Sequence, residues 1–348
     1  MGREIDSQGF TNADYERFGA RLQAETDRLR ALERDGNLSH RHGVAGYELE
    51  AWLVGGDQRP APASEAFLSG MPADMASPEL SRYNFELNGP ARPLGDGALD
   101  QLHTDLAYGW ARSREAASAA NVDPVMMGTL PTVADADLGP ESMSRLERYR
   151  ALNEQILAQR RGRPLHLDIQ GWEFLHTEHR DVMLEAATTS FQVHLQVAAE
   201  QAVRYYNAAL ILAGPLLGPA VNAPFLFGRR LWQESRVPLF EQSVAAGGFG
   251  GAAFGPIRRA GFGSGYVRAG LSELFTENRA HYPVLLPVEL EEPEEALPHL
   301  RLHNGTIWRW VRPLVGTDPD GTPHLRLEHR VLPAGPTTTD AVANAALF

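Results

Sequence analysis

The chain has no cysteine and no lysine among its 348 residues. The first absence removes disulfides, thiolate nucleophiles and cysteine-ligated zinc or iron–sulfur sites together. The second makes all 32 basic residues arginines, so no Walker A, kinase-type or Schiff-base lysine exists here. Any phosphate this chain binds is met by arginine, backbone N–H or metal. No apolar run approaches the ~18 residues of a membrane span. The N-terminus lacks a basic stretch followed by an apolar one, so no signal peptide is legible and a cytoplasmic protein is expected. A formal net charge of −12 argues against general nucleic-acid binding, which needs a basic face.

What is present reads as globular, with 43% apolar and 22% charged residues. No interdomain linker or internal repeat is visible, and residues 1–348 are read as a single catalytic domain. Thr11 and Asp14 make a capping box, and Phe18, Leu22, Leu29 and Leu32 follow at helical spacing until Gly36, predicting an N-terminal helix over 11–35. The stretches 97–120, 141–160 and 198–213 also read as helices. The last is apolar almost all round, which predicts burial, and Gly214-Pro215 should stop it. Residues 244–270 are glycine-rich with embedded arginines and contain no phosphate-loop motif; a flexible lid and a plain surface loop both fit. The acidic run 289–298 reads as a solvated loop.

Four short runs alternate apolar and polar residues, as half-buried strands do. "YELEAWL" carries Glu48 and Glu50, two like charges about 7 Å apart on one face. "RYNFELN" (82–88) sets Tyr83, Phe85 and Leu87 against Asn84, Glu86 and Asn88. "FQVHLQV" (191–197) sets its apolar residues against Gln192, His194 and Gln196, and "LRLEHRV" (325–331) sets its own against Arg326, Glu328 and Arg330. Polar faces of antiparallel sheets ordinarily meet water. Here they gather Glu48, Glu50, Glu86, Glu328 and His194, hard oxygen donors plus one imidazole, a set suited to Mg²⁺ or Mn²⁺.

These motifs, in this order, resemble the glutamate–cysteine ligase group of carboxylate–amine ligases. "GYELEAWLV" is similar to that family's G-x-E-x-E strand, "NFELN" to its second metal-bearing strand, "MGTLP" (127–131) to its G-T-H-P, and "RYRALNEQI" (148–156) to its R-Y helix. "TTSFQVHLQV" resembles its central strand, "VNAPFLFGRRLWQESR" (221–236) its N-S-P-F…S-x-R segment, and "HNGTIWRWVRP" (303–313) and "LEHRVLPAGPTTTDAVANAAL" (327–347) its late strand and closing motif. The resemblance implies an α+β, glutamine-synthetase-like fold: a curved, mainly antiparallel sheet with a polar metal-binding face and helices on its apolar face. It implies a ligase of glutathione biosynthesis using ATP and Mg²⁺ or Mn²⁺, which joins the glutamate γ-carboxylate to an amine, cysteine first, through an acyl phosphate. Its substrates would be small molecules, and a homo-oligomer is allowed.

Carried over by motif, the metal set is Glu48, Glu50, Glu86, His194 and Glu328. Arg330 and Arg236 become the phosphate or acyl-phosphate contacts, Arg312 the contact of a substrate carboxylate, and Trp308, with Trp310, a wall. Gln192 and Thr129 fall on the substrate side. Leu130, Gln192 and Pro333 depart from the family's His, His and Asp, which bears on the amine acceptor. Relatives continue beyond the point where this chain stops, so a truncated C-terminus is expected. Three alternatives stay open: the same chemistry with another amine, a glycosidase using paired carboxylates, and a catalytically silent protein that binds ATP and metal.

Overall fold

The computed structural model describes residues 4–5, 9–246 and 257–348. Its strands, in chain order, are β1 Val44–Val54, β2 Ala76–Pro78, β3 Asn84–Asn88, β4 Arg92–Pro93, β5 Asp123–Val125, β6 Leu165–Gln170, β7 Phe174–His179, β8 Phe191–Val197, β9 Phe225–Leu226, β10 Arg229–Arg230, β11 Val311–Thr317 and β12 Pro323–His329. The α-helices are α1 Asn12–Arg34, α2 Ser64–Ser69, α3 Ala98–Ala119, α4 Glu147–Gln159, α5 Ala202–Ala220, α6 Arg236–Ser243, α7 Ser272–His281, α8 Pro298–Gly305 and α9 Thr338–Leu347.

The architecture is α+β, built on a curled antiparallel sheet in the order β11-β12-β8-β1-β3-β2, with β4 and β5 added to the ends of β1. All four strands expected from alternation are present and lie side by side in its middle. Side chains two apart share a face, so the register decides what meets. Glu50 lies opposite Glu86, Glu48 opposite Gln192, Glu328 opposite His194, and Arg312 opposite Glu328. Every candidate metal ligand therefore falls on the same face.

The other face is a hydrophobic core. Leu49, Leu53, Phe85, Phe191 and Val193 pack against Leu102 and Leu106 of α3, Leu216 of α5 and Ala341 of α9. A second layer lies over the polar face: α4, α6 and the β6–β7 hairpin pack with Trp52, which stacks on Tyr83 at 5.6 Å. The capping box of α1 forms as expected, Thr11 and Asp14 each accepting from the other's backbone N–H.

Two helix expectations change. The 141–160 helix begins only at Glu147, after a 3₁₀ turn at Pro140–Ser142. Helix α5 runs through Pro215 to Ala220 instead of stopping at Gly214. Proline inside a helix removes one hydrogen bond at ~3 kcal/mol, but Leu216 and Ala220 beyond it are buried against the sheet and offset much of that cost. Nor is α5 wholly buried, because one stripe meets the sheet while Ile211 and Leu212 face outward. Part of 244–270 (247–256) lies outside the described residues, and the lid expectation falls largely there.

His303 of α8 is buried, with Nε2 donating to the carbonyl of Asn278 at 3.1 Å. Burial pushes its imidazole down to about 4. The unfolded chain, near pH 6.5, takes up that proton first, so stability should fall as pH drops from about 6.5 to 4 and level off below. The histidine's share is on the order of 3 kcal/mol. His303→Gln keeps the donor and removes the titration. Melting curves of both proteins at pH 7 and 4.5 check this: equal acid losses in the two would refute it.

Candidate functional site

Between the polar face of the sheet and its overlying layer lies a cavity of about 440 Å³. Its floor is laid by the register. β1 supplies Glu48 and Glu50, β3 Glu86, β8 Gln192 and His194, and β12 Arg326, Glu328 and Arg330, with Arg330 just past the strand's end. Helix α4 closes one side with Arg148 and Tyr149, and α8 the other with Arg301 and Leu302.

The five expected ligands do not form one cage. They divide into two trios, each with ligand atoms within 4.8 Å of one another: Glu48, His194 and Glu328, and Glu50, Glu86 and Glu79. In the first, His194 Nε2 lies 3.3 Å from Glu48 Oε1 and 3.8 Å from Glu328 Oε1. Glu328 is the most heavily held carboxylate: Arg312 grips it with Nε and Nη2, the latter at 2.8 Å, and Arg330 Nη1 donates at 3.1 Å. In the second trio, Glu50 accepts from the backbone N–H of Ser190 and from Gln192 Nε2, both at 2.7 Å, and Glu86 accepts from Ser77 Oγ at 3.0 Å. Gln192 also accepts from Arg330, so it bridges Glu50 to the arginine.

The two trios differ electrostatically. Burial works against charge on Glu48, but neighbouring His194 holds it down at about 2. Glu328 is likewise held well below the carboxylate range, Arg312 and Arg330 overcoming its burial. Burial and then Glu48 push Glu86 up to about 7, and burial with Glu86 and Glu50 raises Glu79 well above its ordinary value. One trio keeps its charge through partners; in the other, Arg330 and Arg236 act on Glu50 but do not overcome its burial, and burial and neighbouring acids raise Glu79 and Glu86. A divalent cation supplies the positive charge missing there. The oxygen-rich donor sets fit Mg²⁺ or Mn²⁺, and His194 Nε2, buried and facing Glu48, makes no well-aligned hydrogen bond among the described residues.

Not every expected residue reaches the cavity. Arg236 does not line it: buried in α6, it pairs with Glu234 at 3.1 Å, donates to the carbonyls of Arg330 and Val331, and lies over Trp310. Thr129 is also turned away, donating to the carbonyl of Phe225 at 2.8 Å. Arg312 lines the cavity, but its fork is spent on Glu328 rather than left for a substrate carboxylate. Trp308 is a wall, whereas Trp310 packs on Phe240 and donates to Glu241. The acidic run 289–298 is not simply solvated, since Leu290, Glu292 and Pro298 line the cavity.

Two acids were missed. Glu79 follows β2 in no alternating run, so no periodic signal marks it. Glu185 lies in the 3₁₀ turn Met183–Ala187 and also lines the cavity, its carboxyl pushed up to about 7 by burial and by Glu50. A lone acid within "VMLEAA" was its one available sign.

Comparison with known proteins bears on this site. Among solved structures, the chain is similar to a glutamate–cysteine ligase from Francisella tularensis in complex with AMP (10% identity, TM-score 0.34, covering 53% of this chain and 36% of that one). It is also similar to a bifunctional glutathione synthetase from Pasteurella multocida (11% identity, TM-score 0.42, 92% and 39%). The chain thus spans well under half the length of either. No curated protein matches it. Residues 44–348 match the family described as glutamate–cysteine ligase family 2, and that span contains every residue of both acidic trios. The chain belongs to glutamate–cysteine ligase family 2.

Proposed function

We propose that the cavity is the active site of an ATP-dependent ligase that joins the γ-carboxylate of glutamate to an amine, with cysteine as the leading acceptor, through an acyl phosphate. The observation that carries this reading is the pair of acidic trios, five of their six residues on neighbouring strands, in a family 2 chain. Glu48, His194 and Glu328 would hold one divalent ion and Glu50, Glu79 and Glu86 another. Bound there, such ions neutralise phosphate oxygens and stabilise charge developing during phosphoryl transfer.

The chain's own residues supply the rest. Arg312 and Arg330 fix Glu328 from both sides, so its carboxylate keeps one geometry. Gln192 does the same for Glu50 while orienting Arg330. Arg330 lines the cavity with guanidinium N–H groups to spare, able to meet an oxyanion. Helices α4 and α8 and Trp308 wall the cavity.

A second reading keeps the chemistry and changes the amine. Gln192 stands where many relatives have histidine and is engaged by Glu50 and Arg330, so this stretch of the floor differs in chemistry from theirs.

One experiment tests both. The protein is incubated with ATP, Mg²⁺ and glutamate against each common amino acid, and ADP release is followed with and without excess EDTA. Release should need an amine, be abolished by the chelator and return with Mg²⁺ or Mn²⁺. Full turnover in EDTA would remove the metal reading, and no release with any amine would remove the ligase reading.

A further inference from the structure

Three arginines share the face of Glu328 around it: Arg312 on β11, and Arg326 and Arg330 on either side of it along the chain. Arg312 and Arg330 are committed to Glu328, and Arg330 to Gln192 as well. Arg326 is not. It lines the cavity opposite Gln196 and Leu314, and among the described residues its side chain has no hydrogen bond and no ion pair. Its Nε is buried without a partner. From α8, Arg301 reaches the same cavity, close enough for the two cations to repel one another. Arg301 is exposed, and its side chain has no ion pair or hydrogen bond among the described residues.

A buried guanidinium nitrogen without a partner is costly, and buried polar groups are otherwise almost always satisfied. Burial works hardest against its charge; Glu328 and Glu48 offset part of that cost, and Arg301 and Arg312 work against the offset. The acids nearby are Glu48 and Glu328, but the first faces His194 and the second is already gripped twice. Glu50, Glu79, Glu86, Glu185 and Glu292 all line the cavity, yet Arg301 and Arg326, which line it too, form no ion pair with any acid among the described residues.

We propose that Arg326, assisted by Arg301, is the subsite that receives a substrate oxyanion beside the Glu48–His194–Glu328 trio, either a nucleotide phosphate or an amino-acid carboxylate. The assignment rests on the ligase reading for its substrates but on the unpaired guanidinium for its place. The planar fork holds two oxygens of either anion at once. Unlike Arg330, Arg326 donates to no group among the described residues, so its removal should leave the fold intact or more stable.

Equilibrium binding separates this from the ligase reading. Calorimetry of the full chain with two probes, tripolyphosphate in the presence of Mg²⁺ and L-glutamate, is compared for wild type, Arg326→Met, Arg326→Lys and Arg301→Gln. Arg326→Met should weaken one probe at least tenfold at an unchanged or raised melting temperature. Loss of tripolyphosphate identifies the phosphate as the source, and loss of glutamate the carboxylate. Arg326→Lys should recover part of the affinity, and Arg301→Gln should weaken the same probe less. Both probes binding Arg326→Met within twofold of wild type would overturn the proposal, as would a wild type that binds neither. So would weakening that tracks a lowered melting temperature. Should Arg326→Met fail to fold, Arg326→Lys and Arg301→Gln carry the same test, and wild-type affinity in both overturns it. A wild type that binds a probe through Arg326 yet releases no ADP with any amine would leave this subsite standing and the ligase reading fallen.

Discussion

Glu86→Gln should lower turnover by roughly 10²-fold or more while leaving the melting temperature unchanged or higher. Glu86 lies within the second acidic trio, its carboxyl pushed up to about 7 by burial and by Glu48. Its protein partner among the described residues is the hydroxyl of Ser77 at 3.0 Å, which rotates to donate or accept and so tolerates an amide. Neutralising Glu86 therefore relieves repulsion and strands no donor, which predicts equal or greater stability. The cost falls on cation binding, because the amide carries no charge to offer. Loss of groups that merely support a metal ligand costs 10- to 100-fold, so loss of a ligand should cost no less. Glu50→Gln makes the contrast. Glu50 accepts from Ser190 N–H and Gln192 Nε2, one on each oxygen, and an amide would turn its own N–H₂ toward one of these donors. That variant should lose activity and about 1–3 kcal/mol of stability together. ADP release and thermal melts on both variants decide. Turnover in Glu86→Gln within twofold of wild type would remove Glu86 from the metal site.

The contrast shows what alternation reveals and what it hides. Period-two patterning places Glu48, Glu50, Glu86, His194 and Glu328 on polar faces, and once four such strands are neighbours those faces must coincide. Register then decides partnership, and that is set by pairing across distant segments. Glu50 meets Glu86, and Glu328 meets His194, over sequence separations no local pattern encodes. Hence the sequence shows five ligands where the structure holds two trios. Glu79 completes the second from a loop beside β2, beyond the reach of any periodic argument. Arginines are harder still. Each carries a fork that fits carboxylate, phosphate or carbonyl alike, and only the folded chain reveals that Arg236 spends its fork on Glu234 and on two carbonyls after β12, or that Arg326 has no hydrogen-bond partner among the described residues. The misjudged end of α5 has the same origin: a local stop signal yielded to burial against a sheet formed mostly by other parts of the chain.

Arg330 is where support and chemistry meet, and two substitutions pull them apart. Its Nη1 donates to Glu328 at 3.1 Å and to the Gln192 oxygen, while the charges of Glu328, Glu50 and Glu48 overcome its burial and raise its pKa. Arg330→Met removes the cation among these acids and leaves Arg312 as the arginine hydrogen-bonded to Glu328 among the described residues. Breaking a buried pair from one side costs about 3–5 kcal/mol, so this variant should melt far below wild type, and its lost activity would say little. Arg330→Lys keeps the charge, and an ammonium can reach Glu328 or Gln192. What it loses is the planar fork, and with it the donors left over for the cavity once Glu328 and Gln192 are served. If those donors stabilise charge developing on a transferred phosphoryl group, kcat should fall by about 10²-fold with little change in the KM for ATP and only a modest drop in melting temperature. If Arg330 serves only to neutralise and position Glu328, the lysine variant should keep near-normal kcat and show its damage as lower thermal stability. Steady-state kinetics with the best amine from the acceptor screen, beside thermal melts of the same preparations, distinguish the two. The prediction here is the kcat loss, because Gln192 fixes Nη1 from the side of Glu50 and thereby turns the rest of the guanidinium toward the cavity that both acidic trios share.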